Sequence, residues 1–103
     1  MVLRGSNVPE EIRNGPHHSN GSTRWYLNGK LHREDGPASI WTDGQQNWYL
    51  NGERHRTDGP AIVYPDGRGS FWLRGYWMLF NTWLDQNTEL TDDEKVMFKL
   101  QYG

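Results

Sequence analysis

The sequence predicts a mainly β chain, an antiparallel meander of β-hairpin repeats closed by one or two short C-terminal α-helices. Three observations predict it. A 23-residue pattern recurs: Trp25-Tyr26-Leu27-Asn28-Gly29 returns as Trp48-Tyr49-Leu50-Asn51-Gly52, and in weaker form as Phe71-Trp72-Leu73-Arg74-Gly75. Between these, His32-Arg33, Asp35-Gly36-Pro37-Ala38 and Asp43-Gly44 are matched by His55-Arg56, Asp58-Gly59-Pro60-Ala61 and Asp66-Gly67. Five, two, four and two identities make 13 of the 23 positions in 25–47 the same in 48–70. A fixed period of this size marks units that bury surface only by stacking. The second observation is the recurrence of Asn-Gly and Asp-Gly between aromatic and polar alternation, the strongest short-range hairpin signal. The third is a change of period beyond Met78, where apolar residues recur at helical spacing.

In chain order, residues 1–21 form an N-terminal arm or a degenerate opening repeat, 22–79 the hairpin repeats and 80–103 a helical cap. Asn14-Gly15-Pro16 echoes Asp35-Gly36-Pro37 and Asn20-Gly21 echoes Asp43-Gly44, which favours an opening repeat; residues 1–12 read equally well as a loose arm. Two-residue type I′ turns are expected at 28–29, 43–44, 51–52 and 66–67, with a weaker one at 74–75. Each Gly-Pro breaks the ladder between hairpins, because proline donates no backbone hydrogen bond. This register pairs Trp41 with Gln46, Ser39 with Trp48, Leu50 with Glu53 and Trp48 with His55. Paired residues share a face, so Trp25, Leu27, Trp41, Trp48, Leu50, Ile62, Tyr64, Phe71, Leu73, Tyr76 and Met78 are expected to be buried. Tyr26, Arg33, Ile40, Tyr49, Arg54, Arg56, Val63, Arg68, Trp72 and Trp77 fall on the other, wetter face. Phe80, Trp83 and Leu84 suggest a brief helix near 81–87. Thr91-Asp92-Asp93-Glu94 reads as a capping box opening a helix of about 92–101, with Val96, Met97 and Leu100 as its apolar stripe. Both helices should pack on the aromatic face.

With 103 residues the chain makes one small domain. Only 34% of it is hydrophobic, but six Trp, five Tyr and three Phe concentrate that content in large side chains. Cysteine is absent, which suits a reducing interior, and no apolar run serves as a signal peptide or membrane span. A net charge of −2 argues against general nucleic-acid binding, and the expected setting is the cytoplasm, that of a host cell if the protein is phage-encoded.

The period, the aromatic opening and the closing Asp-Gly resemble the MORN repeat. The variant Trp-Tyr-Leu-Asn-Gly-x-x-His-Arg-x-Asp-Gly-Pro-Ala is more similar to tandem repeats of small proteins from tailed bacteriophages and large DNA viruses. The resemblance covers residues 24–77 and implies a scaffold for binding, most often of proteins. It departs from standard MORN in lacking a Tyr-x-Gly start and in carrying Arg-x-Asp before Gly-Pro.

The duplicated His and Asp columns admit a metal or acid–base reading. Repetition favours a structural one, since catalytic sites in repeat folds are usually unique. His17-His18 lacks a nearby third ligand. No nucleophile elbow, phosphate loop, zinc spacing or HExxH is present, so neither an enzyme nor a cofactor is expected. Tyr26, Arg33, Tyr49, Arg54, Arg56, Arg68 and Trp72 are the candidate partner-binding residues, because Tyr, Trp and Arg dominate interface hot spots. The competing reading is that these aromatics pack on one another under arginine stems. The expected function is a non-catalytic protein-binding module, phage-encoded, that binds and inhibits a host defence protein; a homodimer is also compatible. The alternatives are sequestration of a nucleotide or other small ligand at an aromatic and arginine site, and binding to a lipid surface.

Overall fold

Two kinds of turn shape the chain. At Asn20-Gly21, Asn28-Gly29, Asn51-Gly52 and Arg74-Gly75 both central residues have positive φ, 51 to 53° at the first position and 80 to 83° at the second. These are type I′ turns, whose twist matches that of the strands they join. At Thr42-Asp43-Gly44 and Pro65-Asp66-Gly67 the loop has three residues, and only the glycine is left-handed, at φ 94° and 89°. The Trp41 N–H donates to Gln45 O and the Gly44 N–H to Trp41 O, and Tyr64, Arg68 and Gly67 repeat the arrangement. The Asp43 and Asp66 carboxylates accept the backbone N–H groups of Gln45 and Arg68, at 2.9 and 3.0 Å.

The protein, seen here as a computed structural model that describes residues 14–103, is a mainly β hairpin array with two C-terminal helices. Its strands are β1 (Gly15–Ser19), β2 (Ser22–Leu27), β3 (Lys30–Leu31), β4 (Ser39–Ile40), β5 (Gln46–Asn47), β6 (Tyr49–Leu50), β7 (Glu53–Arg54), β8 (Ile62–Val63), β9 (Gly69–Leu73) and β10 (Tyr76–Met78). The helices are α1 (Phe80–Gln86) and α2 (Asp92–Tyr102). The main sheet runs β1-β2-β4-β5-β8-β9-β10, with β3 also on β2, while β6 and β7 form a separate ribbon. All pairings are antiparallel. Strand β1 pairs with β2 through Ser19 and Ser22, so residues 15–27 are an opening hairpin. The arm expected for residues 1–12 lies outside the described residues.

The three-residue loops correct the expected register. Ser39 pairs with Asn47, not Trp48, and Ile40 with Gln46. A one-residue slip exchanges faces. Ile40 therefore sits beside Thr23, on the side of Trp25, while Ile62 sits between Asn47 and Ser70, on the side of Trp72. The expected buried face holds in part: Ile62, Phe71 and Leu73 are buried, whereas Leu27, Trp41, Tyr64 and Tyr76, each beside a turn, are exposed. Trp41 and Tyr64 flank the three-residue loops, where no further strand among the described residues covers them.

The interior has two parts. Between repeats it is built of small and polar groups: Ala38 and Ala61 are fully buried, as is Asn47, with Ser39 and Ile62 beside them. Packing there is close enough that a Cβ on Gly69 would lie 2.5 Å from the Pro60 Cβ. The larger core lies at the C-terminal end, where the Phe71 ring is 4.8 Å from Trp83, 5.1 Å from Phe80 and 5.3 Å from Tyr102. Leu73, Leu84, Phe98 and Leu90 complete it.

Helix α2 opens with the expected capping box: Thr91 Oγ1 accepts from the Glu94 N–H, and Glu94 Oε1 accepts from the Thr91 N–H. Its inward face differs from expectation. Phe98 and Tyr102 pack on the core, and Val96, Met97 and Leu100 point to solvent, Leu100 at 81% exposure. Two aromatic rings four residues apart bury more apolar area than the aliphatic stripe, and that decides the helix rotation.

Candidate interaction surfaces

Each of the two full repeats, 25–47 and 48–70, holds one arginine in a built slot. Arg33 Cζ lies 3.9 Å from the Trp25 ring centroid, and Arg56 Cζ lies 3.8 Å from that of Trp48. On the other side of each guanidinium is a glycine. A Cβ on Gly36 would come within 3.0 Å of Arg33 Cζ, and one on Gly59 within 2.8 Å of Arg56 Cζ. Nε donates to the aspartate two residues on, at 3.0 Å for Asp35 and 2.8 Å for Asp58. Nη1 donates to the carbonyls of Pro37 and Pro60, at 3.2 and 3.0 Å. A surface ion pair alone contributes little, but stacking, pairing and a carbonyl bond together fix the loop. The motif Trp…Arg-x-Asp-Gly-Pro is thus a structural clamp, and Trp25, Trp48, Gly36 and Gly59 are members of it that sequence reasoning missed. Their joint repetition with Arg-x-Asp was the available signal.

This separates the seven candidate residues. Arg33 and Arg56 stack on tryptophans that alternate along the strand with Tyr26 and Tyr49, so they leave the tyrosine face. Arg68 is 84% exposed and reaches back to Asp66, with Nε to Oδ2 at 2.7 Å. The Arg68 bonds hold the Asp66 carboxyl below the usual carboxylate range, the backbone N–H contributing most. What remains together is a row: Tyr26 pairs with Leu31, Tyr49 with Arg54, and Trp72 with Trp77. Arg54 lies between the Tyr49 and Trp72 rings, 5.1 and 4.9 Å from their centroids, and one of its Nη atoms donates to the Tyr49 hydroxyl at 2.6 Å. The Arg54 Nε is buried without a partner among the described residues. The middle of the row is therefore half-buried and self-packed, and it opens at Trp77, which is 58% exposed.

Histidine latches neighbouring repeats. His32 Nδ1 accepts the Asn51 N–H and His55 Nδ1 the Arg74 N–H, each at 2.9 Å, so the ring of one repeat holds the turn of the next. At the first turn, Asn14 Oδ1 takes this place for the Asn28 N–H, at 3.1 Å. Burial, followed by the nearby Arg74 charge, lowers the His55 pKa, with Glu53 and Glu89 opposing. Nδ1 must be unprotonated to accept, which suits that direction.

A groove lies on the tryptophan side between repeats. Arg33, Glu34, Trp48, Leu50, His55 and Arg56 are among its lining residues, and its volume is about 450 Å3. Among the described residues no cluster of three or more His, Cys, Asp or Glu is placed to hold a metal ion, and no helix is long and apolar enough to cross a membrane. Comparison with protein families, with curated proteins and with solved structures finds no match for this chain.

Proposed function

We propose that this chain is a non-catalytic protein-binding module that grips its partner along the row from Tyr26 through Tyr49 and Trp72 to Trp77. One observation carries the reading: successive hairpins repeat an aromatic side chain at one sheet position, on the face opposite the Phe71 and Leu73 core on which the helices pack. A regular row of anchors suits an extended protein surface, and exposed Trp and Tyr are the usual hot spots of such contacts. The MORN-like resemblance points the same way, and its phage variant makes a bacterial host protein, such as a defence enzyme, the partner to seek first. The arginines favour small anions less than the sequence suggests, because Arg33, Arg56 and Arg68 each commit Nε to an aspartate of their own turn.

The test is affinity capture from a bacterial lysate with the wild-type chain and with Tyr26→Ala/Trp77→Ala. These two positions are chosen because Tyr49 and Trp72 hold Arg54 and their loss would disturb the fold. A partner captured by the wild type and lost by the variant, with circular dichroism unchanged, is the expected result. Equal capture by both overturns the reading.

A further inference from the structure

We propose that the chain forms a two-fold dimer in which β10 of one copy pairs antiparallel with β10 of a second. At each internal joint one hairpin holds the next through two backbone groups. The carbonyl two residues past the turn glycine accepts an N–H, Leu31 O from Gly52 and Arg54 O from Gly75, each at 2.8 Å. The N–H four residues past that glycine donates to a carbonyl, Arg33 to Tyr49 O at 3.1 Å and Arg56 to Trp72 O at 3.2 Å. In the last hairpin these two groups belong to Trp77 and Leu79. They have no backbone partner among the described residues, and β10 ends the sheet. Trp77 also turns its N–H outward, because Tyr76 and Met78 on either side of it make the ladder bonds to β9.

The side chains point to what covers this edge. Internal joints carry Lys30-Leu31-His32-Arg33 and Glu53-Arg54-His55-Arg56, whereas the last hairpin carries Tyr76-Trp77-Met78-Leu79, without a charge. An end unit ordinarily turns polar groups to solvent, and bare sheet edges are guarded by charge or proline. The opposite edge, β1, follows this rule with Pro16, His17 and His18. Strand β10 does the reverse, with Tyr76 at 72%, Trp77 at 58% and Leu79 at 65% exposure. A further hairpin of the array's own kind does not fit there, since Met78 replaces the histidine that accepts the next turn's N–H. An uncharged apolar strand does fit, and β10 is itself one. Antiparallel pairing about a two-fold at Trp77 lets each Trp77 N–H donate to the other's carbonyl, and sets Tyr76 beside Met78 of the second copy. Such an interface is isologous and closes at two chains. It also brings the Tyr26–Trp77 rows of both copies end to end on one face, which doubles the surface offered to an extended partner.

The test is sedimentation equilibrium of the full chain from about 10 μM to about 1 mM, the affinity range of small, transient interfaces. The wild-type mass should rise from that of one chain toward that of two and no further. Trp77→Arg sets two like charges opposite each other at the axis, and Leu79→Arg returns to the edge the residue that the internal joints carry. Each should weaken self-association about tenfold or more, with circular dichroism unchanged. The mass of one chain at about 1 mM, growth beyond two chains, or association equal to wild type in both variants overturns the dimer. Leu79→Arg keeps the test decisive if Trp77→Arg fails to fold. It also leaves the side chains of the row in place, so partner capture by this variant reports on the row alone and the two readings fail separately.

Discussion

His55 accepts a hydrogen bond from the backbone of Arg74, nineteen residues further on, and His32 makes the same bond to Asn51. The bond requires a ring nitrogen without a proton. Because folding lowers the His55 pKa below its ordinary 6.5, its contribution is complete above that unfolded value and is lost as pH falls through the folded one. Urea denaturation between pH 7.5 and 5.0 should show stability flat at the upper end and falling below about pH 6.5. In His55→Gln the fall over this window should be shallower, and an unchanged slope would remove the latch from the account.

The arginine clamp needs glycine at its back. Gly59→Ala places a methyl within 2.8 Å of Arg56 Cζ, and Gly36→Ala within 3.0 Å of Arg33 Cζ. The guanidinium then leaves either its tryptophan or its aspartate, at a cost of about 1 kcal/mol per substitution by calorimetry.

Gly69→Ala should be worse, because the obstacle is the rigid Pro60 ring at 2.5 Å and not the tip of a flexible chain. Overpacking of this kind costs about 1–3 kcal/mol. A melting temperature lowered less than in Gly59→Ala would contradict the register of β8 on β9.

Trp83→Ala should cost about 3–5 kcal/mol and detach α1, since the residue is wholly buried and carries the bond to Arg56 O. Trp83→Phe keeps most of the packing and loses the donor, so an intermediate loss is expected in thermal denaturation.

In α2, Thr91→Ala removes the cap and should cost about 1 kcal/mol. Leu100→Lys should change stability by less than about 0.5 kcal/mol, because the side chain faces solvent. The reverse ranking would mean that the aliphatic stripe, and not Phe98 and Tyr102, faces the core.

The hairpin architecture, the Asn-Gly turns and the Thr91 capping box were legible because local chemistry determines them. Asn51 at φ 51° and Gly52 at 80° adopt what that dipeptide favours. The Asp43-Gly44 loop was misread because its extra residue depends on the Asp43 carboxylate binding the Gln45 N–H, a competing turn that the dipeptide alone does not announce. The resulting slip moved Ile40 and Ile62 to the wrong faces. The candidate site was legible only in its row of aromatics. Arg33 and Arg56 were misplaced because each follows the paired segment of its hairpin, where strand alternation no longer predicts direction. The rotation of α2 depended on a comparison of aromatic with aliphatic area, made by the tertiary packing.

The joints latched by His32 and His55 use the same atoms, and this makes chain length a free variable. Excision of residues 48–70 would put Phe71 where Trp48 stands, bring Arg74 to the His32 ring and offer Arg33 O to the Trp83 indole. Duplication of the same segment would insert one more tryptophan–arginine clamp and one more groove. Steps of 23 residues would therefore lengthen or shorten the array without redesigning either end.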